Sequence, residues 1–242
     1  MSADVVTALP LFYRSIEPLN RDVHRGYGLA MEAPYAFARS SHLLPAVVDE
    51  FPVACAELPI VFIQEADGSA PVFLTGVKPG ENVFVAGDGT WTGRYVPAYL
   101  RRFPFILGEV PGGEPLICLD SEAGIVRKHA EPGRDHLLFT VDGGESPELT
   151  GRIRLVADYA QAATRTQAFT ALLRDHKLLQ PITVQTNRNG AGNAIHGLLA
   201  VDENALNALS DEAFLTLRAA NALSAIYMHL VSLRSIERLG MP

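Results

Sequence analysis

The chain has 242 residues, 48% of them hydrophobic, so it can bury a substantial core in one large domain or two small ones. It carries 20 basic and 27 acidic residues, for a formal net charge of −7, and has no basic tail. Because binding to nucleic acid needs a concentrated positive face, this balance excludes nucleic acid as an expected partner.

The two cysteines, Cys55 and Cys118, lie in separate apolar segments, far from each other along the chain. They predict two buried thiols, with a long-range disulfide as the alternative. The N-terminal segment 1–20 lacks an early cationic stretch and a small-residue cleavage site, and no apolar run is long enough to span a bilayer. The sequence therefore predicts a soluble protein of the reducing cytoplasm.

The first part of the chain predicts short extended segments, then a helix. Proline and glycine punctuate the first forty residues, where 27–31 is the best strand. Residues 40–58 carry apolar side chains at helical spacing, with Ser41 as a candidate N-cap and Pro52 as a kink.

The helical period ends at residue 59, and β-branched and aromatic runs separated by turns predict an antiparallel meander. Its expected strands are 59–64, 71–77 and 83–86, separated by turns at 66–69, 79–82 and 87–90. Next, "PAYLRRF" (97–103) predicts one or two helical turns, since Pro97 suits a helix start and Pro104 disfavours helix at Phe103. Two strands, 103–110 and 115–120, are expected around the turn at 111–114.

The second half of the chain predicts helices around one hairpin. The expected elements are a long amphipathic helix at 153–179, a hairpin of 182–187 with 194–201, a short helix at 202–209 and a final long helix at 211–238 capped by Ser210. These mixed runs indicate an α+β fold with a mainly antiparallel sheet covered by helices. We expect a single domain over 1–242, and the loop-rich segment 121–150 holds any boundary.

Familiar catalytic and cofactor motifs are missing from the sequence. There is no G-x-S-x-G nucleophile motif, and the glycine-rich "NRNGAGN" (187–193) lies between two strands, which favours a hairpin turn over a phosphate cradle. The histidines contain no H-x-H or H-E-x-x-H pair. Asp22 and His24 are weak metal candidates that a distant third ligand could complete as a non-haem iron triad. His196 and His229 are expected to be hydrogen-bonded core or surface residues.

Residues 87–107, "GDGTWTGRYVPAYLRRFPFIL", concentrate aromatic and arginine side chains. Adjacent residues point in different directions in any regular structure, so at most one arginine of the Arg101–Arg102 pair is expected to face a buried partner. Either the aromatic residues close the edge of the core, or an arginine and aromatic faces form a binding surface for a carboxylate with an apolar body. The candidate ligand-binding residues are Asn82, Trp91, Tyr95, Tyr99, Arg101, Arg102 and Phe103.

The same segment carries a resemblance to a known family. "RYVPAYLRRFPFIL", together with "TQAFTALLRDHKLLQPITV" and "HGLLAVDENALNALSDEAFLTL", resembles the SapC family of bacterial proteins. The resemblance implies an association with the bacterial surface layer, and members are often labelled as peptide-transport components. It supplies no catalytic residues. A permease role conflicts with the lack of a spanning segment.

Three hypotheses follow. The first is a non-catalytic accessory or binding protein that recognises a peptide, a small molecule or a partner protein in a surface-layer or uptake context. The second is an enzyme or enzyme partner, iron-dependent through His24 and Asp22. The third is a structural homodimer, in which the final helix buries an apolar stripe against a second copy. The cofactor, if any, stays unknown at this stage.

Overall fold

The computed structural model describes residues 9–66, 68–110, 112–188 and 191–239, with 186–188 and 191–193 described by their backbone alone. Among these residues the helices are α1 (Arg21–His24), α2 (Phe51–Ala54), α3 (Ala98–Arg102), α4 (Pro147–Asp175), α5 (Glu203–Asn207), α6 (Asp211–Ala219), α7 (Ala222–Ser232) and α8 (Ile236–Leu239). The strands are β1 (Ile16–Pro18), β2 (Gly28–Ala30), β3 (Leu43–Pro45), β4 (Ile60–Glu65), β5 (Gly68–Leu74), β6 (Phe105–Gly108), β7 (Leu116–Asp120), β8 (Val126–Arg127), β9 (Asp135–Leu137), β10 (Leu179–Arg188) and β11 (Ala191–Val201).

The largest sheet of the described residues has five strands in the order β10-β11-β4-β5-β3, and every neighbouring pair is antiparallel. In β4 the β-branched and aromatic run "IVF" is buried on both faces of the sheet. Ile60 and Phe62 lie in one core cluster with Phe169 and Leu173 of α4. Between them Val61 lies in a second cluster, which α8 closes. Helices therefore cover both sides of this sheet.

A third core cluster lies under two smaller sheets, β1-β7-β6 and β8-β2-β9. Helix α4 contributes to it through Leu149 and Val156, whereas the C-terminal part of α4 packs on the large sheet. Ser146 begins α4, since its hydroxyl accepts a hydrogen bond from the backbone N–H of Leu149, and Pro147 follows at the first helical position. The long helix thus joins the core under the small sheets to the core under the large one.

Helix α3 confirms the prediction for 97–103. Pro97 lies just before the helix, and Phe103 is extended because Pro104 follows it. Arg152 of α4 donates a hydrogen bond through Nη1 to the backbone carbonyl of Arg101. This contact holds the end of α3 against α4.

The predicted helix at 40–58 is wrong. The chain forms β3, a single 3-10 turn at Val48–Glu50 and then the one-turn helix α2. Pro45 has no N–H to donate and disfavours helix at the residue before it, so the segment instead pairs with β5, where Leu44 faces Phe73. Because β3 is an edge strand, Pro45 is tolerated there.

The strand predicted at 83–86 is also absent from the structure. Only Val85 makes an isolated bridge, to Trp91. Asn82 turns the chain: its side chain donates to the carbonyl of Ala38 (3.1 Å) and accepts from the N–H of Phe84 (3.0 Å). A side chain that bonds the backbone in this way competes with the ladder of a strand.

The final helix is divided. Ser210 caps α6 as predicted, but Asn221 adopts a left-handed conformation (φ 56°) that asparagine tolerates better than most residues, and the long C-terminal helix follows over 222–239. The apolar residues predicted to form one stripe, from Leu215 to Leu233, do not share one face, because Ile226 is fully buried in the chain's own core and Leu215 is 55% exposed. Self-association through this stripe stays a prediction.

The α+β fold with mainly antiparallel sheets and covering helices is confirmed. The long helix and the hairpin of the second half are present as α4 and β10–β11, and segment 121–150 supplies β8 and β9. A single domain over 1–242 stays a prediction. Several sequence predictions fall partly on residues outside the described ones, namely the N-terminal segment before residue 9, Asp67, Pro111, residues 189–190 and residues 240–242.

No single helix of the described ranges has both the length and the apolar composition to cross a membrane. Asp211–Ala219 and Ala222–Leu239 satisfy those criteria only as a pair, and the pair bends by 92°.

Candidate functional site

The adjacent side chains of Arg101 and Arg102 enter different surroundings at the end of α3. Arg101 is half-buried, and it donates through Nε to the Val96 carbonyl (2.9 Å) and through Nη2 to the Tyr95 hydroxyl (3.1 Å). Arg102 is only 6% exposed and lies among tyrosine rings. Neighbouring helical residues project about 100° apart, so one of the two arginines remains within reach of a ligand.

Arg101 lines a cleft of about 410 Å³ between α3 and α4. We call it the α3–α4 cleft, and its lining residues are Val47, Asp49, Glu50, Tyr95, Ala98, Arg101, Leu155, Asp158, Tyr159, Gln161, Ala162 and Arg165. Five of these residues are charged, three acidic and two basic, and the others are apolar, aromatic or amide side chains. The volume lies within the range of small-molecule sites, and the lining is more polar than that of most such sites.

Glu50 is a buried carboxylate in the wall of the cleft, only 4% exposed. Its Oε1 accepts hydrogen bonds from the Tyr95 hydroxyl (2.9 Å) and the Ala98 N–H (2.7 Å), and its Oε2 accepts from the Val47 N–H (3.1 Å). Burial raises the pKa of Glu50 above its ordinary value, while these hydrogen bonds and Arg101 act in the opposite direction. Both carboxylate oxygens therefore have donors, and the group holds the surrounding loop in place.

Tyr95 connects Glu50 to Arg101. Its hydroxyl donates to Glu50 and accepts from Arg101, and burial followed by the charge of Glu50 raises the pKa of Tyr95, so the phenol stays protonated. The carboxylate of Glu57 accepts from the backbone N–H groups of Arg94 (2.8 Å) and Tyr95 (3.2 Å), which fixes the backbone at this point. The guanidinium of Arg101 is thus positioned before any ligand arrives.

The two arginines of the cleft differ in their ion pairs. On the rim, Arg165 of α4 meets Asp49 through two parallel contacts, Nη2 to Oδ2 (2.7 Å) and Nε to Oδ1 (3.1 Å). Among the described residues, no carboxylate lies within ion-pair distance of Arg101. Arg101 is therefore the cation of the cleft that keeps capacity for an external carboxylate.

The remaining candidates from the sequence do not line the cleft. Trp91 stacks on Phe84 with ring centroids 5.2 Å apart, and its Nε1 donates to the Tyr95 carbonyl (2.9 Å). Asn82 is buried in the turn described above. Trp91 is thus bonded to the backbone of the cleft residue Tyr95 without lining the cleft itself.

Tyr99 and Phe103 lie in the core. Tyr99 is 4% exposed, and its hydroxyl donates to the Leu11 carbonyl (2.9 Å). Phe103 is 2% exposed and packs edge-to-face on Tyr13. Of the candidate residues predicted from the sequence, the structure brings Tyr95 and Arg101 together at the cleft.

The metal candidates Asp22 and His24 have local roles. Asn20 begins α1, and its side-chain oxygen accepts from the N–H of Asp22 (2.8 Å). His24 is buried, with Nδ1 at the backbone of Asn20 and Nε2 3.3 Å from Glu17 Oε1. Within the described ranges no group of three histidine, cysteine, aspartate or glutamate side chains could hold a metal ion.

His229 confirms the expectation of a hydrogen-bonded core histidine. It is fully buried on α7, where Nε2 accepts from the Val201 N–H (3.0 Å) and Nδ1–H donates to the Ile60 carbonyl (2.8 Å). The thiols of Cys55 and Cys118 are both free, with Cys118 buried and Cys55 half-buried. The prediction of two buried free thiols therefore holds for Cys118 and only in part for Cys55, and the alternative of a disulfide between them is not formed.

Glu50, Tyr159 and Arg165 line the cleft although the sequence does not indicate them. They come from two segments distant from residues 87–107, and the fold alone brings these segments together. Glu50 has no distinguishing local signal, since Asp49 lies beside it in the same run and the Asp49 side chain is 43% exposed. Nothing local distinguishes Tyr159 or Arg165 from other residues on a helix surface.

No curated protein and no solved structure shows significant similarity to this chain. The family model described as SapC matches residues 19–239, a range that includes the cleft and most of the chain. The chain therefore belongs to the SapC family.

Proposed function

We propose that this SapC-family protein is a non-catalytic binding protein whose α3–α4 cleft takes a small molecule or peptide through a carboxylate group. One observation carries the proposal: Arg101 is positioned by Tyr95 and Val96, and it lacks a carboxylate partner among the described residues. A guanidinium in this state binds a planar carboxylate well, because its fork of donors matches the two oxygens.

The other walls of the cleft suit the remainder of such a ligand. Val47, Ala98, Leu155 and Ala162 contribute apolar surface beside the phenol rings. Burial of apolar ligand groups there adds affinity, at about 25 cal/mol for each Å² removed from water. We expect a ligand with one carboxylate and an apolar body, used in the surface-layer or uptake setting that the family name suggests.

Glu50 supports binding in preference to catalysis. A general base needs an oxygen that can reach a substrate proton, whereas both oxygens of Glu50 accept hydrogen bonds from the protein. Its geometry favours a role in holding Tyr95 and Arg101. A peptide or a partner protein could supply the same carboxylate, and it would differ from a small molecule only in the part of the ligand that extends out of the cleft.

The test uses the fluorescence of Trp91, the only tryptophan in the chain, which bonds to the backbone of the cleft residue Tyr95. The probes are acetyl-leucyl-leucine and its C-terminal amide, which differ only in the carboxylate. We expect the acid to bind at least about 10-fold more tightly than the amide, since a hydrogen bond to a charged group contributes about 1.5–3 kcal/mol.

The Arg101→Ala variant is expected to remove this preference. Arg218→Ala is the control, because Arg218 is exposed on α6 and does not line the cleft. Equal affinity for acid and amide in the unmodified protein, or an unchanged preference in Arg101→Ala, would refute the proposal.

A further inference from the structure

Arg102 is a buried cation without an anionic partner. Its guanidinium lies 4.5 Å from the ring centroids of both Tyr99 and Tyr159 and 5.6 Å from that of Tyr13. None of the ion pairs among the described residues includes Arg102, and its buried Nε has no hydrogen-bond partner there. The tyrosine faces offset part of the cost of burial, since their quadrupoles attract a cation.

This arrangement leaves a positive charge beneath one wall of the cleft. A buried charge is normally balanced by an opposite charge, and here the rings supply only partial compensation. Tyr159 lies between the two features, because it contacts Arg102 through its ring and also lines the α3–α4 cleft. Tyr159 therefore connects the Arg102 guanidinium to the wall of the cleft.

The hydroxyl groups of the three tyrosines differ in their partners. The Tyr13 hydroxyl donates to the Phe105 carbonyl (2.7 Å), and the Tyr99 hydroxyl donates to the Leu11 carbonyl. The Tyr159 hydroxyl is the one that makes no hydrogen bond with any described residue. Burial raises the pKa of Tyr159 although Arg102 acts to lower it, so the phenol keeps its proton and can donate it.

We infer that Tyr159, stacked on Arg102, is a second anchor for the ligand carboxylate in the α3–α4 cleft and donates a hydrogen bond from the α4 wall while Arg101 binds from the α3 wall. This inference rests on the proposed function and deepens it. Arg102 is a positioning residue, because it acts through the ring of Tyr159. The ligand group is then an anion held between one guanidinium and one phenol.

Tyr159→Phe tests the inference, because it removes the hydroxyl and keeps the ring over Arg102. We expect the affinity for acetyl-leucyl-leucine to fall about 5- to 10-fold while the affinity for the amide stays unchanged. Tyr99→Phe is the matched control, since it removes a hydroxyl from the same tyrosine cluster outside the cleft. It is expected to leave the acid-to-amide ratio unchanged.

Arg102→Met adds the electrostatic readout. If it folds, we expect the acid-to-amide ratio to fall and the salt dependence of acid binding to weaken, whereas a merely structural role would reduce both affinities together. If it does not fold, Tyr159→Phe decides alone. An unchanged acid-to-amide ratio in Tyr159→Phe, with Arg101→Ala still abolishing the preference, overturns this inference and leaves the proposed function standing. Acid that binds no better than amide to the unmodified protein overturns both.

Discussion

Glu50 and His229 are both buried titratable residues whose side-chain polar atoms are hydrogen-bonded. They differ in location, since His229 lies in the closed core and Glu50 lies in the wall of the cleft. His229 is enclosed, and it joins the end of β11 to the start of β4, where the pairing between those strands stops. Glu50 borders the cleft, and through Tyr95 it positions the side chain of Arg101. Burial and hydrogen bonding alone therefore do not identify a site. We propose that a connection from the buried group to an accessible charge, which has no ion-pair partner among the described residues, distinguishes the cleft.

The largest effect on stability is expected at His229, the enclosed member of the pair. His229→Leu leaves the Val201 N–H and the Ile60 carbonyl without partners in the core, so we expect the free energy of unfolding to fall by about 3 kcal/mol or more. Urea unfolding measures the change. His196→Leu is the control, because His196 is exposed on β11, and we expect a change within about 0.5 kcal/mol. Similar losses in both variants would show that His229 has no special role.

The dependence of stability on pH follows from the same residue. Burial lowers the pKa of His229 to about 4 from its ordinary 6.5. Between these two pH values the unfolded chain binds a proton at His229 that the folded chain does not bind. The contribution of His229 to the free energy of unfolding is therefore complete above pH 6.5 and is lost as the pH falls toward 4. Its full size is roughly 3 kcal/mol.

The difference in unfolding free energy between the unmodified protein and His229→Leu isolates this contribution, because other titrating groups are shared. We expect the difference to shrink from pH 7 to pH 4.5. The stability contribution of Glu50 depends on pH in the opposite direction. Because burial raises the pKa of Glu50, its contribution to the free energy of unfolding is complete at low pH and declines as the pH rises. A difference that is constant over this range would contradict the neutral buried state of His229.

A smaller stability effect is expected at the cleft. Tyr95→Phe removes the hydroxyl between Glu50 and Arg101, and we expect the free energy of unfolding to fall by about 1 kcal/mol. The affinity for acetyl-leucyl-leucine is expected to fall several-fold, because Arg101 is no longer held in place. Tyr227→Phe, at a position 50% exposed on α7, serves as the control for both measurements. Binding by Tyr95→Phe at full affinity would show that the link does not position Arg101.

Much of the fold could be predicted because the signals are local. Pro97 and Pro104 bracket α3, the β-branched and aromatic runs after residue 59 mark β4 and β5, and Ser210 begins α6. The helix predicted at 40–58 failed because helical spacing of apolar residues also arises in a bent edge strand with turns, and Pro45 decides between the two.

The site was only partly predictable. Residues 87–107 indicated Tyr95 and Arg101, since aromatic and arginine residues concentrate there. Glu50 and Tyr159 come from segments on either side of that run, and their roles depend on contacts between residues far apart in the chain. The different surroundings of Arg101 and Arg102 depend on the same contacts.

The most direct test of the account is the acid-to-amide affinity ratio of acetyl-leucyl-leucine in the unmodified protein and in Arg101→Ala, followed by Trp91 fluorescence at pH 7. We expect a ratio of at least about 10 in the unmodified protein and about 1 in Arg101→Ala. A ratio near 1 in both proteins, or an equal preference for the acid in both, would contradict a carboxylate site at Arg101.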